Sequence, residues 1–140
     1  MDFGQVISNI NFLAVIVAAF SAFFLGWIWY GPLFGKQWME LNGFNRDEMS
    51  KQKWLPMPVI MGVNYVATLL AALSLAMFLG AEADAIFGIF AGLMIAVFWI
   101  ATSRLNDVLY ERKPMGLFWI NVGYNVVIYV VMGEVLGAWK

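Results

Sequence analysis

Apolar residues in this chain neither alternate nor keep to one helical face; they fill four long blocks, residues 10–30, 57–80, 85–103 and 116–139, separated by short polar stretches. At a rise of about 1.5 Å per residue, each block is long enough to cross a hydrocarbon layer of roughly 30 Å. Helices that are apolar on all sides are expected to face lipid as well as one another. The pattern predicts an all-α integral membrane protein with four transmembrane helices in an antiparallel bundle. Residues 1–140 form a single domain, with a loop over 31–56 between the first two spans and no linker or low-complexity tract.

Within the blocks, small residues recur every four positions. Ala14, Ala18, Ala22 and Gly26 mark the first span, Ala72, Ala76 and Gly80 the second, Gly88, Gly92 and Ala96 the third, and Gly133 and Gly137 the fourth. Lipid is as apolar as leucine, so helices associate through close contact at such stripes. These faces predict packing inside the bundle or, as the other reading, an interface between copies.

The first span ends in an aromatic box containing Trp27, Trp29, Tyr30, Pro32 and Trp38. Rings with polar edges suit the headgroup level, and Pro32 lacks the N–H that would continue the helix, so a break or kink is expected there. The segment up to Met39 is then an interfacial piece. Beyond the Asn42-Gly43 turn, Asn45 followed by Glu48, with Phe44 placed to staple Met49, predicts a short surface helix from about Arg46 to Trp54. Pro56 and Pro58 mark the start of the second span.

Charge then fixes orientation. Of the eight Lys and Arg residues, seven fall in two gaps, at Lys36, Arg46, Lys51, Lys53, Arg104, Arg112 and Lys113, and only Lys140 lies elsewhere. The positive-inside bias places both gaps in the cytoplasm and both termini on the outer side, in one orientation only. Residues 1–5 lack the basic region of a secretory signal, so the first span is expected to be retained. With 63% hydrophobic residues, 12% charged residues and a net charge of −1, the partners expected are membrane lipids, not nucleic acid.

Chemistry is sparse. The chain has no Cys and no His, which removes thiolate nucleophiles and the usual ligands of zinc, copper, haem and iron–sulfur clusters. Its nine Met residues are scattered, as gap-fillers are, so neither metal nor cofactor is expected. Ser103 has no base to activate it and no phosphate loop is present, so no catalytic residue is assigned.

The remaining polar residues gather at one depth. Asn64 and Thr68 on the second span, and Asn121 and Asn125 on the fourth, are pairs four residues apart that share a helix face. Amides facing lipid are costly, so these four are expected to point inward and bond across helices. With Tyr124, and with Arg104 and Asp107 from a helix running beyond the third span to Pro114, they could instead line a cytoplasm-facing pocket for a polar or anionic ligand. Arg104 taken alone reads as a snorkelling anchor, and Glu134 reads as a carboxylate reaching the outer headgroups.

The run Trp29-Tyr30-Gly31-Pro32-Leu33-Phe34-Gly35-Lys36-Gln37-Trp38 resembles the signature of a small bacterial membrane family known as domain of unknown function 1761. The resemblance continues through Asn42-Gly43-Phe44, Glu111-Arg112-Lys113-Pro114, Asn121-Val122-Gly123-Tyr124 and Val131-Met132-Gly133, with Trp139 near the end. It implies a four-helix inner-membrane protein and brings no activity with it. Packing signals outnumber chemical ones, so the sequence favours a homo-oligomer or an accessory subunit of a membrane complex. A small permease or ligand-binding protein is the alternative.

Overall fold

The computed structural model describes residues 2–43 and 55–139. Among these residues every regular element is helical, and four helices are long and apolar enough to cross a membrane. A short helix α1 (Phe3–Ser8), capped by the Asp2 carboxylate on the Gly4 amide at 3.0 Å, precedes them. The apolar helices are α2 (Phe12–Leu33), α4 (Met57–Leu79), α5 (Ala85–Glu111) and α6 (Met115–Ala138); α3 (Gly35–Asn42) follows α2 directly. The protein is thus a multi-pass membrane protein.

Helix ends fall where local chemistry puts them. The Asn11 carboxamide caps α2 on the Ala14 amide, and the Asp84 carboxylate caps α5 on the Phe87 amide at 2.8 Å, each satisfying a donor that a helix start leaves free. α4 and α6 begin after Pro56 and Pro114, where a missing N–H costs nothing. α3 closes at Gly43, whose φ of 72° is in the left-handed region that glycine occupies without strain.

Helix α2 widens around Pro32 and ends one residue later, at Leu33. Residues Trp29–Leu33 form one wide turn in which the Phe34 N–H reaches back five residues to the Trp29 carbonyl at 2.8 Å. Pro32 offers no N–H to the preceding turn, and widening the helix by one residue absorbs the loss. Gly35 then passes so close to the Tyr30 carbonyl that no Cβ fits. A second wide segment, Ile95–Ile100, lies in α5 without a proline; the Thr102 hydroxyl donates back to the Phe98 and Trp99 carbonyls at 2.8 and 3.0 Å. Nothing in the sequence pattern announced it. The α5 helix extends past the predicted apolar block to Glu111 and closes at Arg112, a non-glycine residue held at φ 55°.

Helix α6 is the hub. It packs along α5, against α2, and to a lesser extent against α4, while α2 also packs on α4. The α5–α6 contact is the tightest: Gly88 lies on the backbone of Gly133, Gly92 on the Tyr129 carbonyl, and Gly137 on the Asp84 carbonyl, with no room for a Cβ at any of them. These pairs step by four residues in opposite directions, which makes the two helices antiparallel. One step further along the same register come Ala96 and Asn125, both buried. Ala14, Ala18 and Ala22 are buried in a core with Leu75, Ile128 and Met132, so the stripe of α2 is covered within the chain. The surface helix predicted over Arg46–Trp54 lies outside the described residues.

Candidate functional site

The wide turn ending α2 aims two aromatic side chains at α6. Trp29 Nε1 donates to the Ile120 carbonyl at 3.0 Å, and its ring lies over Gly123, where a Cβ would sit 3.0 Å from the ring. The arrangement is reciprocated: the Tyr124 ring lies over Gly26, and a Cβ there would sit 2.8 Å from the Tyr124 hydroxyl. Tyr30 meets Tyr124 edge to face at 5.0 Å and donates from its hydroxyl to Asn121 Oδ1 at 2.7 Å. Two glycines therefore seat two rings, those of Trp29 and Tyr124, while Trp29 and Tyr30 each donate to a partner on α6.

The clasp divides the aromatic box into outward-facing and inward-facing rings. Trp27 does face outward, at 64% exposure, but Trp29 and Tyr30 turn inward, and Trp38 stands 5.8 Å from Tyr30, also edge to face. Gly26 and Gly123 supply the room that drew them in. The sequence signal was available in Asn121-Val122-Gly123-Tyr124, where a glycine between polar and aromatic residues marks a ring seat.

Above the clasp, on the side of the two basic gaps, a cavity of about 940 Å³ opens between α2, α3, α4, α5 and α6. Tyr30 and Asn121 form its floor, with Asn64, Asn42, Arg104 and Asp107 around it; Lys36, Glu111 and Lys113 also border it, and Trp38, Met57, Ile60 and Phe118 give it apolar walls. Lys113 pairs with Glu111 at 3.0 Å, both about half exposed. Among the described residues, neither Arg104, Asp107 nor Lys36 has an ion-pair partner, and Arg104 and Asp107 do not pair with each other. After the Lys113–Glu111 pair is set aside, two cations and one carboxylate remain. The described lining residues thus carry a net positive charge next to neutral hydrogen-bonding groups.

Of the candidate ligand residues, Asn64, Arg104, Asp107 and Asn121 line this cavity, whereas Thr68, Tyr124 and Asn125 do not. Thr68 donates to the Asn64 carbonyl of its own helix at 2.8 Å, and Tyr124 packs beneath Gly26 and Tyr30. The expectation that all four polar residues bond across helices is therefore corrected: Asn64 is exposed to the cavity, and Asn121 alone of the four has an interhelical side-chain bond among the described residues. Sequence reasoning missed Lys36, Asn42 and Lys113, which it placed in loops. Their convergence depends on α3 folding back toward α6, where Leu41 touches Gly116. Glu134 is exposed on α6, away from the cavity. Among the described residues, no group of acidic side chains is arranged to hold a metal ion.

Asn125 is 7% exposed, and its Nδ2 has no hydrogen-bond partner. An unpaired amide in an apolar layer is a standing cost of about 1–3 kcal/mol. Asn125→Leu is accordingly expected to raise the melting temperature of the purified protein by several degrees. A lower melting temperature would show that the amide is satisfied in the membrane.

A family model described as "Protein of unknown function (DUF1761)" matches residues 13–137. No curated protein and no solved structure matches the chain.

Proposed function

This chain belongs to the DUF1761 family, whose description assigns no chemistry, and from that premise we propose that it is a ligand-binding protein of the bacterial inner membrane that takes an anionic ligand in the cavity beside Arg104. In this reading the four helices form an antiparallel bundle, both termini are periplasmic, α3 lies along the cytoplasmic interface, and the cavity opens to the cytoplasm, since the positive-inside bias puts Lys36, Arg104 and Lys113 there. The observation that carries the reading is an unpaired guanidinium in a cavity whose floor is a bonded pair, Tyr30 and Asn121. Arginine offers a planar fork matched to carboxylate and phosphate, and the nearby carboxamides and hydroxyl orient whatever polar group follows. Translocation would follow if the cavity opened alternately to the other side, so the permease alternative rests on the same residues.

An oligomer or accessory subunit finds less support. The stripes of α2, α5 and α6 that would have served a partner are covered inside the chain. A thermal-shift screen of purified protein against small carboxylates and phosphates, with neutral and cationic analogues, tests the proposal. At a ligand concentration one hundred times Kd, stabilisation of about 2.7 kcal/mol is expected, seen as a rise of a few degrees for an anion only. Arg104→Gln should remove that rise without lowering the melting temperature of the free protein. Equal shifts in wild type and Arg104→Gln would dismiss the reading.

A further inference from the structure

The cavity has an apolar neighbour along the same helices. α4 and α5 are neighbours in the chain but touch only sparsely, and a second cleft of about 250 Å³ lies between them. Ala71 and Phe78 of α4, Ile95, Trp99 and Ile100 of α5, and Tyr129 of α6 line it. On α5, Arg104 of the cavity stands one helical turn from Ile100 of the cleft; on α4, Asn64 stands two turns from Ala71. No residue lines both, but these spacings align cavity and cleft on the same faces of α4 and α5, along one seam that is cationic and polar at one end and apolar at the other. From Asn64 to Phe78 it runs about 21 Å along α4, the reach of a long acyl chain.

Resting on the anion-binding reading above, we propose that this seam holds one anionic phospholipid of the inner leaflet, its headgroup phosphate at Arg104 and Lys36 and one acyl chain in the α4–α5 cleft. Selectivity comes from the head. A chain leaving bulk lipid for a cleft gains no hydrophobic energy, because both surroundings are apolar; what it gains is contact along helices that otherwise leave a gap. A net negative headgroup is drawn by the two unpaired cations, each worth about fivefold in affinity beside an anionic surface, whereas a zwitterionic headgroup feels little of this. Asp107 faces the same space and accepts from the hydroxyls of a glycerol headgroup.

The experiment uses the full chain in liposomes containing a trace of phosphatidylglycerol, or in parallel phosphatidylcholine, with a photoactivatable diazirine midway along one acyl chain. Crosslinks are mapped by peptide mass spectrometry. The expected result is phosphatidylglycerol labelling enriched about fivefold or more on residues 71–78 and 95–100 relative to the outward-facing Phe20 and Phe24 of α2, with no enrichment for phosphatidylcholine and an enrichment about fivefold lower in Arg104→Gln. Even labelling of all outward surfaces, or equal enrichment by both lipids, overturns the lipid assignment. If labelling is even while glycerol 3-phosphate still raises the melting temperature in an Arg104-dependent way, the cavity reading stands and the lipid assignment falls. If that shift is absent too, both fall.

Discussion

Gly88→Val or Gly133→Val is expected to cost about 4 kcal/mol or more, enough to prevent recovery of a folded, monodisperse protein from detergent. The reason is geometric. Each glycine lies against the other's backbone, so an added Cβ overlaps a carbonyl group and not the yielding end of a side chain. Relief requires α5 and α6 to separate, which removes the close contact along Gly92 and Gly137 as well. Gly88→Ala should already lose about 2–3 kcal/mol, at the upper end of ordinary overpacking. Gly62→Ala is the control: a Cβ there meets nothing within 4 Å, and in mid-helix alanine is favoured by roughly 0.5–1 kcal/mol. Denaturant titration followed by circular dichroism would measure all of these. Equal tolerance at Gly88 and Gly62 would show that the α5–α6 backbone contact is absent.

The second large effect is expected at the clasp. Trp29→Ala removes the ring seated over Gly123 and the donor to the Ile120 carbonyl, for a loss of about 3 kcal/mol. Trp29→Phe keeps most of the packing and gives up only the hydrogen bond, so a loss of about 0.6–1 kcal/mol is expected, the usual worth of a bond between membrane helices. Trp27→Ala, at an outward-facing ring, should change stability by no more than about 0.5 kcal/mol. The same melts run with a bound anion report on the cavity, because Tyr30 follows Trp29 in the wide turn and forms the cavity floor. If Trp29→Ala and Trp27→Ala behaved alike, the clasp would have no energetic standing.

The architecture was legible in the sequence because membrane physics leaves few choices: four apolar blocks, their helical state and the convergence of the basic gaps follow from length, backbone satisfaction and charge. The four-residue recurrence of Gly88, Gly92, Gly133 and Gly137 also showed which faces approach closely. Side-chain direction was less legible. Asn64 and Thr68 share a face, yet one opens to a cavity and the other bonds its own helix, because a hydroxyl four residues on can always reach back to a carbonyl. Trp29 looked like a headgroup anchor because a tryptophan near a helix end usually is one; its inward turn depends on a glycine 94 positions later and on the widened turn at Pro32. The Ile95–Ile100 segment left no signal because no proline or glycine marks it.

The clasp also has a bearing on the order in which the molecule is completed during synthesis. Its two hydrogen bonds join residues 91 positions apart, and α6 is the helix against which α2 and α5 both pack. Until α6 follows α5 into the bilayer, α2 and α4 have each other, while α5 has only its sparse contact with α4. The ring seat at Gly26 of α2 stays empty for that interval, and Asn11, Pro56 and Asp84 hold the starts of α2, α4 and α5 locally while they wait. A nascent chain arrested before Met115 should therefore remain a loosely associated set of helices, open to quality-control proteases, and become resistant only as α6 is inserted.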